Sequence, residues 1–225
     1  PNRPVGRKSK LTPPPVKVCA QQHGIPVLQF ERIRRPEGRE ALEAPKPDLF
    51  VTAAFGQILS AKVLAIPKLG TINVHASLLP EYRGSAPINW CLINGETRTG
   101  VTTMMTDIGI DTGDMLLRDE VEIGPDENAE ELTERLSRVG AQTLLRTLKA
   151  LENGTLTRTP QDESKSSYQP MLEKTLGCID WNKPAQSIHN LVRGVNPWPG
   201  AYTQMESGVL KVWKTALTEQ KTDAP

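Results

Sequence analysis

The sequence predicts an α/β layer fold with a mostly parallel sheet, on three observations. Short apolar runs bounded by turn residues recur at 48–54, 70–75 and 100–106. Helix-like stretches at 60–66 and 86–94 separate them, and a long amphipathic period covers 129–151. Strands alternating with helices bury their apolar faces by stacking helices on a sheet. The 225 residues exceed the usual length of one domain and 37% of them are hydrophobic, so one domain plus part of another is expected.

Taken in order, residues 1–15 (PNRPVGRKSKLTPPP) are rich in proline and base and read as a loop. Val16 to Gln22 reads as a short helix stopped by Gly24, and Ile25 to Leu28 as a brief strand. The run Asp48 to Ala54 suits a strand buried on both faces of a parallel sheet, and Gly70 to His75 and Gly100 to Thr106 look similar. Asp114 to Ile123 alternates loosely, as a strand or hairpin near the sheet edge does. Leu132, Leu136, Val139, Thr143, Leu144, Leu148 and Leu151 recur at helical spacing, and Asn153-Gly154 ends that helix.

Residues 155–172 are polar and without period, so they read as a linker. A helix over Ala185 to Val192 follows, then a constrained turn at Asn196-Pro197-Trp198-Pro199-Gly200. Tyr202 to Met205 and Val209 to Trp213 form a predicted hairpin around Ser207-Gly208. A doubly wound domain opens with a strand and a helix, and two final strands do not make an independent sheet. The chain is therefore expected to be truncated at both ends.

Several function classes are disfavoured. No stretch approaches the roughly 18–20 apolar residues that span a bilayer, and no signal-like segment opens the chain, so a cytoplasmic protein with no membrane attachment is expected. Cys19, Cys91 and Cys178 are odd in number and far apart, which suits reduced thiols rather than a disulfide framework. The three histidines show no metal-ligand spacing, so no metal is expected. The net charge of +1 hides Arg3, Arg7, Lys8 and Lys10 crowded into the first ten residues without an acid. Such a block suits phosphates, although composition alone favours a solvated, mobile terminus.

The chemistry concentrates in Ile72-Asn73-Val74-His75-Ala76-Ser77-Leu78-Leu79-Pro80. Strand residues two apart share a face, so Asn73 and His75 project together near the carboxyl end of a strand, where α/β proteins place ligands. An amide beside an imidazole supplies a donor for a developing oxyanion and a group that moves protons near neutral pH. A glycine-bearing loop, Ile108 to Asp114, is able to bring a carboxylate to the same edge and orient the imidazole. Asp111 or Asp114 fits that role; both also fit a plain surface turn.

These residues resemble the folate-dependent formyltransferases. The resemblance is carried by Asn73/His75, Ser77 to Pro80 and Asp111/Gly113. Within the family, INVHASLLPEYRGSAPINW, DIGIDTGDML, NPWPGAY and the later KVWK strand are most similar to the branch that formylates methionyl-initiator tRNA. The resemblance implies a Rossmann-like catalytic domain over 1–154 lacking its first strand-helix unit, a linker over 155–172, and over 173–225 the incomplete start of an OB-like β-barrel that binds tRNA.

It further implies transfer of a formyl group from 10-formyltetrahydrofolate to the α-amino group of methionyl-initiator tRNA. Asn73, His75 and Asp111 become the catalytic set, and Ser77, Leu78, Leu79 and Pro80 the folate signature. Phe55, Gly56, Ile58 and Leu59 adjoin the pterin pocket, and Arg3, Arg7, Lys8 and Lys10 engage tRNA. A monomer with no obligate protein partner is expected. Other folate-dependent formyltransferases, a formyltetrahydrofolate hydrolase and an inactive tRNA-binding fragment are the competing readings.

Overall fold

The computed structural model describes residues 2–5 and 10–219. Its strands are β1 (Arg3–Val5), β2 (Lys10–Thr12), β3 (Phe50–Ala53), β4 (Thr71–His75), β5 (Arg83–Gly84), β6 (Arg98–Met105), β7 (Met115–Glu122), β8 (Tyr168–Gln169), β9 (Ala201–Met205) and β10 (Gly208–Val212). Its helices are α1 (Pro15–Gln22), α2 (Pro36–Glu43), α3 (Ala61–Leu64), α4 (Pro87–Ile93), α5 (Ala129–Glu152) and α6 (Ala185–Gly194).

The chain divides into two compact units: Pro1–Phe50 with Phe55–Gly70, and Val51–Ala54 with Thr71–Pro225. In the first, β1 and β2 pair antiparallel with Arg3 opposite Thr12, so the basic opening forms two short strands where a plain loop was expected. Proline at the first helical positions starts α1 and α2. Gly24 follows α1 at a φ of +67°, a stop that only glycine adopts without strain. Ile25 to Leu28, expected as a strand, is irregular, with Ile25 and Leu28 exposed rather than packed on a core.

The second unit carries a four-stranded sheet of order β3-β4-β6-β7. Its register puts Asn73 opposite Met104 and His75 opposite Thr102, with β4 antiparallel to β6, and β6 antiparallel to β7. These two junctions depart from the expected run of parallel strands. Residues 106–114 alone join β6 to β7, and a parallel crossover needs about a dozen or more. β3 alternates half-buried and exposed positions rather than lying buried on both faces.

Helix α5 packs on β6, β7 and β4. Its start is set locally: Asn128 accepts from the Glu130 and Glu131 amides at 2.9 and 3.0 Å, and Glu131 reaches back to the Asn128 amide at 3.0 Å, an arrangement worth about 1 kcal/mol. The buried stripe is Ala129, Leu132, Leu136, Gly140, Thr143 and Thr147. Gly140 belongs there because a Cβ would sit 3.1 Å from Val74, so the helix lies close under β4. Thr147 is buried where the expected Leu144 and Leu148 are only partly so. Its hydroxyl lies 2.8 Å from that of Thr103, and the Thr143 hydroxyl donates to Asp119.

The core joins Leu132 and Leu136 to Tyr82, Cys91, Leu92, Val101 and Ile123. Burial pushes the Cys91 thiol up to about 11, so it stays protonated at neutral pH as an apolar filler. The expected later helix and hairpin are present as α6 and β9–β10. They pack into this same unit: α6 lies on α4, and Arg193 donates to the carbonyls of Gly124 and Glu127 at 3.2 and 3.4 Å.

Candidate active site

Asn73 and His75 alternate with Val74 along β4, and the pleat therefore turns both to one face. His75 is the last residue of the strand, 6% exposed. Its Nε2 lies 2.8 Å from the Tyr82 carbonyl oxygen. A carbonyl only accepts, so Nε2 carries the hydrogen and Nδ1 is the nitrogen left to the site. Tyr82 holds its carbonyl there through a left-handed backbone (φ +58°), and its amide donates to Ser167 Oγ at 2.8 Å.

Asn73 is oriented from the neighbouring strand. Thr52 Oγ1 donates to Asn73 Oδ1 at 2.9 Å, which leaves the Nδ2 hydrogens as the end available for an oxyanion. Thr52 was not singled out from the sequence, although a hydroxyl inside the apolar run 48–54 was a visible signal.

The structure chooses between the two aspartates. Asp111 Oδ2 stands 3.6 Å from His75 Nδ1, longer than a hydrogen bond but within ion-pair reach, and its carboxylate is 17% exposed. The Gly84 amide donates to that same oxygen at 2.8 Å, fixing the carboxylate beside the ring. Gly84 has no substitute: at φ +92° a Cβ would lie 2.6 Å from both the Gln169 carbonyl oxygen and the Tyr168 ring. Asp111 itself adopts a left-handed φ of +55°, strain of the sort that tertiary contacts must hold. Asp107 braces the loop ahead of it by accepting from the Gly109 amide and Thr112 Oγ1 at 3.0 and 2.7 Å.

The residues of the expected folate signature lie in the turn that carries β4 to β5. Ser77 is buried and donates to the Glu81 carbonyl at 2.7 Å, and its own carbonyl accepts from Thr102 at 2.7 Å. Leu79 is fully buried, its amide and carbonyl bound to Thr102 Oγ1 and Arg118 at 3.2 Å each. The Leu79-Pro80 bond is cis. Ser77 and Leu79 thus set the backbone, while Leu78 and Pro80 are only half-buried. Phe55, Gly56, Ile58 and Leu59 belong to the other compact unit, where Phe55 and Ile58 expose their apolar side chains. Gln57 ties that segment down within its unit, accepting from the Ile33 amide at 2.8 Å.

Arg7 and Lys8 lie outside the described residues, and Arg3 and Lys10 are described only as strand backbone. The polar stretch 155–172 is not a free linker: Arg83 and Gly84 pair in parallel with Tyr168 and Gln169. The Ser167 amide also donates to the Pro80 carbonyl at 3.3 Å. Arg83, 6% exposed, holds Glu163 through two bonds of 2.9 and 2.7 Å. That pairing, opposed in part by burial, raises the Arg83 guanidinium above its ordinary value.

Among the described residues no group of three or more histidine, cysteine, aspartate or glutamate side chains is placed to hold a metal ion, and no helix is long and apolar enough to cross a membrane.

Known proteins are similar to this chain over most of its length. The family model "Formyl transferase" matches residues 1–148, and "Formyl transferase, C-terminal domain" matches 171–225. The methionyl-tRNA formyltransferase of Geobacter metallireducens is 56% identical over 220 residues, covering 98% of this chain and 71% of that protein. That of Ruminiclostridium cellulolyticum is 54% identical over 219 residues, covering 97% and 70%. Among solved structures, the N-formyltransferase of Helicobacter canadensis in complex with folinic acid and dTDP-3-aminofucose has a TM-score of 0.70 at 21% identity, covering 96% of this chain and 74% of that one. The shared fold is the Rossmann-like one of the formyltransferases. The chain belongs to the formyl transferase family, in its methionyl-tRNA formyltransferase branch.

Proposed function

We propose that the protein transfers a formyl group from 10-formyltetrahydrofolate to the α-amino group of methionyl-initiator tRNA. The observation that carries this is the convergence of Asn73, His75 and Asp111 at the end of one strand, with Asn73 Oδ1 held by Thr52, His75 Nε2 by the Tyr82 carbonyl and Asp111 Oδ2 by the Gly84 amide. The names of the relatives, at 51–56% identity, supply the acceptor.

The reaction needs no covalent enzyme intermediate. The neutral α-amine attacks the formyl carbon, a C–N bond forms, and the carbonyl electron pair moves onto oxygen. Asn73 Nδ2 and the protonated His75 Nδ1 donate to that oxyanion, whose charge develops only in the transition state and is therefore where fixed donors act most strongly. Asp111 accepts the proton that the amine loses, and that proton passes to N10 of the folate as the C–N10 bond breaks and the oxyanion collapses, which returns Asp111 to its carboxylate. Net charge and atoms balance without an oxidant or a metal.

Ser77, Leu78, Leu79 and Pro80 shape the folate-facing turn, and the family resemblance assigns Phe55, Gly56, Ile58 and Leu59 to the pterin, Phe55 and Ile58 being exposed apolar side chains. Arg3, Arg7, Lys8 and Lys10 meet tRNA phosphates. The test is a formyl-transfer assay with 10-formyltetrahydrofolate comparing charged initiator tRNA with elongator methionyl-tRNA. Selective formylation of the initiator supports the reading, and absence of transfer to either refutes it. Neutralising the four basic residues should flatten the salt dependence of tRNA binding, the logarithmic slope falling by about 0.7–0.9 for each phosphate no longer neutralised.

A further inference from the structure

We propose that Gln161, in the polar stretch between α5 and α6, is a positioning residue for the acid–base pair, acting through the backbone of the Asp111 loop. The inference rests on the reading of Asp111 given above. The Gln161 amide Nε2 donates to two main-chain carbonyls, those of Asp111 and Gly113, at 2.8 Å each. These flank the turn that holds Asp111 at its left-handed φ of +55°. Gly113, on the same turn, is packed so closely that a Cβ would lie 1.8 Å from the Met105 carbonyl oxygen, so the loop has one tight seat against β6.

Both hydrogens of one amide are thus used on the loop, and its oxygen is used elsewhere. Gln161 Oε1 accepts from Arg83 Nε at 2.9 Å, while the other two nitrogens of that guanidinium bind Glu163. Arg83 is followed directly by Gly84, whose amide holds the Asp111 carboxylate. Gln161 therefore grips the Asp111 backbone on one side and the chain carrying the carboxylate's own donor on the other. Two carbonyls and a guanidinium demand a side chain with two donors and one acceptor, and among uncharged side chains only a primary amide provides them. Asp111 Oδ2 sits 3.6 Å from His75 Nδ1, so a small shift of the loop changes how the carboxylate faces the ring and the attacking amine.

The experiment compares Gln161→Met and Gln161→Glu with the parent in the full-length protein, alongside Asp111→Asn. Methionine keeps the length and removes all three bonds. Glutamate keeps the acceptor for Arg83 and replaces the two donors with oxygen facing two carbonyls. Positioning predicts that both lower kcat about 10- to 100-fold, with KM for methionyl-tRNA and for the folate within about twofold. It also predicts faster amide hydrogen exchange at 111–114, with that of α5 unchanged.

A normal kcat in Gln161→Met overturns the inference. So does a normal kcat in Gln161→Glu, which would leave Gln161 only as an anchor for Arg83. A KM rise together with faster exchange throughout α5 overturns it too, by indicating general loosening. Normal turnover in Asp111→Asn instead overturns the reading of the site itself, whereas a slow Asp111→Asn beside a normal Gln161→Met sinks only the role of Gln161.

Discussion

The strand and turn over residues 71–84 and the polar stretch over 155–169 hold the same site by opposite means. The first presents side chains: Asn73 and His75, to which the proposed mechanism gives the reacting atoms, project from one face of a pleated strand, and their neighbours Val74 and Ile72 lock that strand to helix and sheet. The second presents none to the chemistry. It binds backbone and support, through Gln161 to Asp111 and Gly113, Glu163 to Arg83, and Ser167 to Pro80 and Tyr82. The geometry around Asn73, His75 and Asp111 is thus held as much by a segment with no periodicity as by the motif itself.

The largest effect should come from the motif side. His75→Ala and Asp111→Ala should lower turnover about 100- to 10,000-fold, and Asn73→Ala about 100- to 1,000-fold, with thermal midpoints close to the parent in each case. Steady-state formylation rates and a melting curve decide it, and near-normal rates for all three would remove the chemistry from β4. The seam between the two regions comes next. Gly84→Ala places a Cβ against Gln169 and Tyr168 and strains a positive φ, so it should part β5 from β8. We expect a stability loss of about 1–3 kcal/mol in denaturant, with a parallel fall in rate. Full stability would mean that the seam yields without cost.

Thr52→Val tests orientation within the motif side alone. Without its hydroxyl partner the Asn73 amide loses its fixed sense, and kcat should fall by about five- to tenfold, the value of one hydrogen bond near 1 kcal/mol, with KM unchanged. A KM effect of equal size would assign Thr52 to binding.

The smallest effect concerns Glu163, whose carboxyl the Arg83 guanidinium holds below the usual glutamate range. A carboxyl depressed in the folded state contributes stability that is present above its unfolded value and lost as pH falls through the folded one. The clamp is therefore intact at neutral pH and weakens in acid, below the ordinary glutamate range. Because Glu163 is largely exposed the effect is screened. Glu163→Gln should flatten that acid limb of an unfolding titration, and an unchanged limb would show that the pair carries no weight.

Much of this was legible in the residues. Helical spacing and the Asn128–Glu131 capping box mark α5, since both are local. The Asn73-His75 pair is legible because a strand turns alternate residues to one side, and Gly154 and Gly24 mark stops because few other residues take their backbone conformation. Strand direction was less so: an apolar run looks the same running either way, and only the nine-residue span from β6 to β7 betrayed an antiparallel return. The choice of Asp111 over Asp114 was implied by the family resemblance and not by spacing, because the carboxylate's place depends on where the Gly84 amide lies.

The sequence by itself determined the α/β elements, the placing of an amide and an imidazole on one strand face, and the family, because each rests on periodicity or on a short motif. Only the tertiary structure decided which nitrogen of His75 faces the site, which aspartate stands beside it, and that residues 161–169 brace them. Those outcomes are set by hydrogen bonds across separations as large as 50 residues between Gln161 and Asp111, and 85 between Tyr82 and Ser167, which no local pattern of residue types encodes.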